Sequence, residues 1–507
     1  MDSADKIRLV EELAEELEAL RAQGKTIVQC HGVFDLVHVG HIRHFQAARQ
    51  HGDVLVVTLT PDRWVAKGPG RPVFNERLRA EAVAALADVD YVAVNRWPTA
   101  VEAIHRLRPH VYCKGPDYEA PEADLTGVIA LEAQAVQAVG GRIEFTDDLA
   151  FSSTALLNEF YGVYPEEARR WLAAFKTRHT LDGILVGLEA LNALRVLVVG
   201  EAILDEYHYC APLGKSPKEA IVSVRHLREE TFAGGALACA NHVAGFCGQV
   251  DLVTCLGESD AREAFVREHL RPNVRVFSVP RPGSTIIKRR YVWEPFLVKM
   301  FEVAFFEDQP ISAGAEAALL GFLRGLTSPY DVMMIVDYGH GLLTPPIVEA
   351  LTAMPGPLAV NTQANSANLG YNVVTKYPCA DYVCLDEPEA RLARQDRWGP
   401  IEALAEDVQR QLDAAALVVT RGHLGSLVCG EDGSRWEIPA FSREVVDRVG
   451  AGDAYFSLTA PCVAVGMPLD VVGFLGNAVG ALAVKIVGNR TPVEPAALAA
   501  FVRALLK

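Results

Sequence analysis

Asp447-Arg448-Val449-Gly450-Ala451-Gly452-Asp453-Ala454 runs straight into an apolar helical stretch. Two glycines around a small residue free the backbone N–H groups to line a concave anion site at a helix start. An aspartate at that point can take the proton of an attacking hydroxyl. Phosphoryl transfer asks little more of a protein than positioning and charge neutralisation. A glycine turn with an aspartate cap has the same letters, so the surroundings decide. Upstream, LRVLVVG at 194–200 opens a series of short β-rich runs separated by helical ones: DLVTCLG, DVMMIVD, PLAVN, DYVCLD and ALVVTRG. That rhythm predicts a parallel sheet with helices on both faces. The same rhythm fills the first part of the chain, as TIVQC, a helix around 41–50, DVLVVTL, a helix from Asn75, YVAV, a helix near 100–107 and HVYCKG. The expected fold class is therefore α/β, with two doubly wound parallel-sheet domains. The expected boundaries are a helix at 1–23, a first domain at 24–160, a helical linker at 161–192 and a second domain at 193–507.

In the first domain the strand TIVQC leads to His38-Val39-Gly40-His41 where a helix begins. Unpaired N–H groups and the positive dipole end make that spot favourable for phosphate. Gly40 lets a ligand approach the backbone. Two imidazoles three residues apart share a face and can donate hydrogen bonds as charge builds on a phosphate. On these four residues alone, a metal pair or coincidence is an equal alternative.

The 507 residues are half hydrophobic, and 48 Lys+Arg against 64 Asp+Glu give a net charge of −16. An acidic balance argues against a general binder of nucleic acid or anionic membranes. The N-terminus lacks a signal-peptide core, and the apolar stretch from Leu458 to Val487 is interrupted by Pro461, Pro468, Asp470, Asn477 and Lys485. Ten scattered cysteines without a CxxC spacing argue against a zinc site or disulfide framework. A cytoplasmic protein with small-molecule substrates, and neither nucleic-acid nor membrane partners, is the expectation.

The flanking residues of the first domain extend its signature: Gly32-Val33-Phe34-Asp35, Lys67-Gly68, Arg71-Pro72, Glu76-Arg77, Cys113-Lys114-Gly115-Pro116-Asp117-Tyr118 and Phe151-Ser152-Ser153-Thr154. In this order they resemble the cytidylyltransferase-like nucleotidyltransferases, and among these the adenylyltransferases of ADP-heptose synthesis. The resemblance implies a Rossmann-like domain in which His38 and His41 stabilise the transition state and Lys67 and Lys114 hold phosphates. It further implies that Gly32, Phe34 and Gly40 line the nucleotide and that Ser152, Ser153 and Thr154 cap the triphosphate. His31 departs from the family, which more often has a small polar residue there. The segment DDLAFSST, without an arginine-rich run, leans toward ATP over CTP.

The second domain adds, in order, Gly200-Glu201-Ala202-Ile203-Leu204-Asp205, Ala233-Gly234-Gly235-Ala236, Asp386-Glu387-Pro388-Glu389, Thr420-Arg421-Gly422-His423-Leu424-Gly425 and Asn477. This set resembles the ribokinase family of carbohydrate kinases, with Ser216-Pro217-Lys218-Glu219-Ala220 similar to its heptose-7-phosphate branch. The resemblance implies Asp453 as base, with Gly450, Ala451 and Gly452 as anion hole. Thr420, Gly422, Gly425 and Asn477 would sit about the nucleotide, and Glu389 would act on Mg2+ through water. Asp205, Gly234 and Gly235 would contact the sugar, under a β lid formed by 208–232 and 284–305. Lys288, Arg289 and Arg290 are available for a sugar phosphate, or are an exposed basic run. Three positions depart from the family. Ala238 stands for an expected Asn, with Asn241 one turn on as its substitute. Asp386 stands for Asn. The amide-rich Asn361-Thr362-Gln363-Ala364-Asn365-Ser366-Ala367-Asn368 replaces an Asp-Pro-Lys run, as a recognition loop or as a plain polar one.

Together the resemblances imply a bifunctional, ATP-using sugar-nucleotide enzyme. A kinase acts on D-glycero-D-manno-heptose 7-phosphate and an adenylyltransferase acts on heptose 1-phosphate, with domain order reversed from the family's and homo-oligomers expected. Another sugar or polyol phosphate, with CTP, is the first alternative. A non-catalytic binding regulator is the second.

Overall fold

The computed structural model describes residues 3–65, 72–115, 128–146, 164–326, 328–442 and 444–506. Contacts divide the chain into two units, Met1–Glu166 with Ala499–Lys507, and Glu167–Leu498.

In the first unit β1 (Ile27–Gly32), β2 (Val54–Leu59), β3 (Tyr91–Val94), β4 (Val111–Lys114) and β5 (Arg142–Phe145) form one parallel sheet in the order β3-β2-β1-β4-β5. Alternate residues of the strands supply both cores. Val28, Cys30, Leu55 and Val57 pack with Phe34, Phe45 and Val83 on one face. Ile27, Val54, Val56 and Tyr91 pack with Val10, Leu13 and Leu17 on the other. The helical spacing of those last three residues thus places the helix Val10–Ala22 on the sheet. Each such fully buried side chain contributes roughly 1.5–3 kcal/mol. The strand order reverses between β1 and β4, the place where open α/β sheets leave a ligand crevice at the strands' carboxyl ends.

The second unit contains β6 (Arg195–Gly200), β7 (Ala202–Lys215), β8 (Val222–Gly235), β9 (Gln249–Gly257), β10 (Val274–Arg281), β11 (Ile286–Trp293), β12 (Val298–Phe305), β13 (Val332–Asp337), β14 (Leu358–Thr362), β15 (Tyr382–Asp386), β16 (Ala416–Thr420), β17 (Ser426–Gly430) and β18 (Arg435–Ile438). Nine of these strands form a sheet in the order β10-β9-β6-β13-β14-β15-β16-β17-β18. It is parallel except for the antiparallel β17 and β18 at one edge. Its order reverses between β6 and β13. The other four strands form a separate sheet, β12-β11-β7-β8, covering the segments expected as a lid.

Within the stretch 161–192, expected as a linker, the described residues include two helices, Glu166–Lys176 and Leu181–Ala190. The first packs within the second unit, to which it belongs from Glu167 on: Phe175 stacks on Phe474 at 4.6 Å, and Trp171 lies 6.0 Å from Phe441. His179 and Arg178 both reach the buried Asp470, at 2.8 and 3.2 Å. Among the described residues, no helix is long and apolar enough to cross a membrane.

Candidate active sites

The first site forms where β1 ends. His38 is the N-cap of the helix Val39–Arg49, and its Nδ1 accepts a hydrogen bond from the Gly40 N–H at 3.1 Å. That bond fixes the tautomer, because an accepting Nδ1 places the neutral ring's proton on Nε2. The neutral His38 ring therefore carries its N–H at Nε2. His41 stacks on His38 at 4.0 Å between ring centres, and the edge of Phe34 meets His41 at 5.2 Å. Phe34 takes a left-handed backbone conformation, φ 48°, which is costly for a bulky residue and concentrates at functional sites. Its ring lies so close over Gly32 that a Cβ there would sit 2.9 Å from Phe34 Cζ. A side chain at position 32 would therefore have to push the Phe34 ring aside.

His31 lies in the sheet between Thr58 Oγ1 at 2.9 Å and Thr60 Oγ1 at 3.2 Å. Burial, helped by the Lys114 charge, lowers its pKa to about 3, so it is a neutral hydrogen-bonding spacer at neutral pH. Lys114 ends β4 and pairs with the buried Glu132 at 2.7 Å. The sequence reading did not find Glu132, since nothing in its helix sets it apart. Arg79, another unforeseen residue, is fully buried and donates to Val33 O, Phe74 O, Thr60 O and Asp62 Oδ1. It ties the loops after β1 and β2 together. Lys67, Ser152, Ser153 and Thr154 lie outside the described residues.

The second site gathers at the reversal point between β6 and β13. Gly450 caps the helix Ala451–Ala464 with φ +82°, and a Cβ there would lie 2.1 Å from Asn489 Oδ1. Ala451 and Gly452 open that helix. Asp453, in its first turn, accepts at Oδ1 from Tyr338 OH (2.9 Å) and Gln363 Nε2 (2.6 Å). Both donors converge on one oxygen, which leaves Oδ2 to take a proton. Burial raises the Asp453 pKa to about 6 against these two hydrogen bonds, with the Asp205 charge adding to the rise and Lys288 opposing it. A group poised near the working pH is suited to general-base duty.

Asp205 is buried on β7. It accepts from Arg290 Nη1 at 2.5 Å and from Asn489 Nδ2 at 3.2 Å. Gly234 lies against it, since a Cβ there would stand 2.1 Å from Asp205 Oδ2. Gly235 has φ +57° and abuts Glu201 O. Asp205, Gly234, Arg290, Asn489, Gly450 and Asp453 thus meet in one place. Arg290 also pairs with Glu302 at 2.9 Å, so two carboxylates offset its charge. Burial lowers the Lys288 pKa, and Lys288 has no hydrogen bond or ion pair among the described residues. Of the three basic residues expected to be available for a sugar phosphate, Arg289 pairs with Glu206 at 2.7 Å and Arg290 with two carboxylates, so Lys288 is the least committed.

Thr420 ends β16, while Gly422 (φ +56°) and Gly425 (φ +94°) shape the following turn. A Cβ on Gly425 would lie 1.9 Å from Ile438 O, and Asn477 Nδ2 donates to Ile438 O at 2.8 Å and Pro439 O at 3.1 Å. Asn477 therefore braces the wall that Gly425 belongs to, and its donor is already engaged. Glu389 accepts from the backbone of Asp386 (2.9 Å) and Ala364 (3.0 Å), and Asp386 accepts in return from Glu389 N (2.8 Å). Burial, with the Asp386 charge next, raises the Glu389 pKa to about 8.

Two expectations need correction. Asn241 donates to His269 O at 2.7 Å and accepts from Arg271 N at 3.0 Å. Its amide ties the helix Ala236–Phe246 to the 269–271 turn and does not serve a sugar. The amide-rich loop is mostly self-supporting: Asn365 and Asn368 both donate to Tyr338 O, at 2.8 and 2.7 Å. Only Gln363 of that loop reaches the base. The loop thereby positions Tyr338, which the sequence reading missed.

Residues 29–158 match the cytidylyltransferase-like family, and residues 371–496 match the pfkB family carbohydrate kinases. The two matches occupy different parts of the chain, the cytidylyltransferase-like one first and the pfkB one second. The transferase region is 42% identical over 156 residues to bifunctional protein HldE of Syntrophotalea carbinolica, covering 30% of each chain. It is 40% identical over 171 residues to the HldE protein of Geobacter metallireducens, covering 33% of each. These matches span about a third of the relatives' length. Phosphofructokinase-2 from Escherichia coli, solved in complex with potassium, aligns with a TM-score of 0.50 at 15% identity, over 61% of this chain and 99% of that one. That likeness is one of fold.

Proposed function

We propose that the kinase domain phosphorylates the 1-hydroxyl of D-glycero-D-manno-heptose 7-phosphate and that the transferase domain adenylylates heptose 1-phosphate. The observation that carries the reading is Asp453. A buried carboxylate with a pKa near 6 stands at a glycine-opened helix start, against Asp205, Arg290 and Lys288. In the kinase step the sugar hydroxyl oxygen bonds to the γ-phosphorus of ATP and the bond to the β-phosphate oxygen breaks. ADP leaves, and the hydroxyl proton passes to Asp453 Oδ2. The N–H groups about Gly450, Ala451 and Gly452 face the negative charge, and Asp205 orients the sugar.

Asp386 and Glu389 fit the water shell of a divalent cation. Burial first, and then the repulsion between these two neighbouring carboxylates, raises the Glu389 pKa, and a nearby cation would relieve the repulsion. Mg2+ carried with ATP would there supply charge neutralisation to the phosphates. In the transferase step the sugar 1-phosphate oxygen bonds to the α-phosphorus of ATP and pyrophosphate leaves. The His38 Nε2–H and His41 face that phosphate at the helix start, and Lys114 stands at the end of β4. Between the two steps a separate phosphatase must remove the 7-phosphate from the bisphosphate. Assembly into homo-oligomers and a cytoplasmic location complete the proposal.

Mass spectrometry of heptose 7-phosphate incubated with Mg–ATP and the protein tests the kinase half. The expected result is a gain of one phosphate that is lost in Asp453→Asn. An unchanged heptose beside turnover of other sugar phosphates removes the heptose assignment and leaves the two reactions.

A further inference from the structure

The two long strands of the four-stranded sheet carry a group of side chains that the kinase site does not use. Asp205, Tyr207 and Tyr209 of β7 point to one side, where Asp205 meets Arg290 and Tyr207 OH donates to Asp447. Side chains alternate along a strand, so Glu206 and His208 point to the other side. On β8, Glu229 stands opposite His208 and Arg228 opposite Tyr209, but then the register jumps and His226 stands opposite Cys210. β8 therefore holds one extra residue there, a bulge. In a regular strand residues 226 and 229 would face opposite sides. The bulge brings both to the side of His208, and re-aiming a side chain is what bulges do.

His208, His226 and Glu229 each offer one donor atom, and these atoms lie within 4.8 Å of one another. Among the described residues, no other group of three histidine, cysteine or carboxylate side chains converges in this way. Glu229 Oε2 lies 3.6 Å from His208 Nε2 and 3.8 Å from His226 Nε2. Those separations are too long for hydrogen bonds. Ligands held at about 2.0–2.2 Å around a tetrahedral ion stand about 3.3–3.6 Å apart. His226 and Glu229 are exposed, so small rotations of their side chains close the difference, and an ion can enter from solvent. His208 is held more firmly, beside the Tyr291 ring at 5.4 Å between ring centres. Glu206 Oε2 also lies 3.6 Å from His208 Nε2, but the Arg289 guanidinium engages that oxygen at 2.7 Å. Three protein ligands remain, with a fourth position open to water.

We propose that His208, His226 and Glu229 bind a divalent transition-metal ion of the zinc class, with water as the fourth ligand, on the side of the sheet that faces away from Asp205. Two imidazoles and a carboxylate suit zinc, nickel or copper, whereas Mg2+ takes oxygen ligands. The site therefore differs in chemistry from the carboxylates at Asp386 and Glu389. Cysteine spacing, which argued against a zinc site, does not bear on a donor set without sulfur. The ligands come from both β7 and β8, so a bound ion cross-links these strands, one of which carries Asp205. An ion that binds only the folded sheet stabilises it by mass action.

The test uses the full-length protein, stripped of metal with a chelator and kept in excess Mg2+. Zn2+ is titrated by calorimetry into wild type, His226→Gln and Glu229→Gln, and amide hydrogen exchange is followed with and without Zn2+. Wild type should bind Zn2+ despite the Mg2+. Loss of an outer partner of a metal ligand costs about 10–100-fold in affinity, so loss of a direct ligand should raise Kd at least that much. Zn2+ should slow exchange across 206–209 and 226–230 in wild type and leave both variants unchanged. Without metal, both variants should unfold at the same urea concentration as wild type, because the replaced side chains are exposed. Wild type that binds no Zn2+, or loses it to Mg2+, overturns the proposal and leaves an ordinary ion-pair cluster. Zinc binding that survives undiminished in either variant, or that leaves exchange of β7 and β8 unchanged, places the ion elsewhere and overturns it as well.

Discussion

Asp453→Asn should make the kinase unit inactive and more stable at the same time. The carboxylate is 8% exposed, and its pKa rises from 3.8 to about 6 on folding. In the unfolded chain the group ionises from about pH 4 upward, and in the folded chain only from about pH 6. Its contribution to stability is therefore fully present below the unfolded pKa and lost as pH rises through the folded one. The shift of about two units corresponds to about 3 kcal/mol at neutral pH. Asparagine does not ionise, and its Oδ1 can keep both hydrogen bonds, from Tyr338 and Gln363. The variant should thus exceed wild type by about 1.6 kcal/mol near pH 5 and by about 3 kcal/mol near pH 7.5. Urea unfolding of the nucleotide-free protein at several pH values, followed on the kinase unit's transition, measures that difference. Without the base, kcat should fall by about 10²–10⁴-fold. A stability difference that is flat with pH, or a variant less stable than wild type, would refute the reasoning that buried charge is what tunes this group.

Three further outcomes follow from the two sites. Kinase kcat/KM should drop about tenfold per pH unit below about pH 6, because protonated Asp453 cannot accept the hydroxyl proton; a profile level down to pH 5 would contradict this. His38→Asn keeps a capping oxygen but loses the Nε2 donor, so adenylyl transfer should fall while stability holds, whereas His38→Ala should also cost about 0.5–2 kcal/mol in thermal or urea unfolding. Gly450→Ala combines a left-handed φ of +82° with a 2.1 Å approach to Asn489 Oδ1. It should disable the kinase and spare the transferase when the two reactions are assayed separately.

The parts of both sites that a single stretch of chain builds were legible in the sequence. The strand TIVQC, the His38–His41 helix start and the 447–454 loop each carry their geometry in consecutive residues. The partners that tune those residues were not legible, because they arrive from elsewhere in the fold. Tyr338 and Gln363 reach Asp453 across 115 and 90 residues, and Asn489 reaches Asp205 across 284. No local spacing marks such residues. Asn241 shows the opposite error. Helical spacing carried it toward the sugar, but its amide had acceptor and donor on the 269–271 backbone, about 30 residues on. The 361–368 loop was visible as unusual, yet Asn365 and Asn368 support the Tyr338 backbone, Asn361 donates to Cys384 O, and Gln363 is the residue that reaches Asp453.

The central claim is that one chain holds two independent ATP-using sites, one built on Asp453 and the other on His38. The most direct measurement follows the fate of ATP by phosphorus NMR in wild type, Asp453→Asn and His38→Asn, each given heptose 7-phosphate and heptose 1-phosphate separately. The account predicts ADP from the first substrate, lost only in Asp453→Asn, and pyrophosphate from the second, lost only in His38→Asn. Loss of both products in either variant, or pyrophosphate production that survives His38→Asn undiminished, would contradict it.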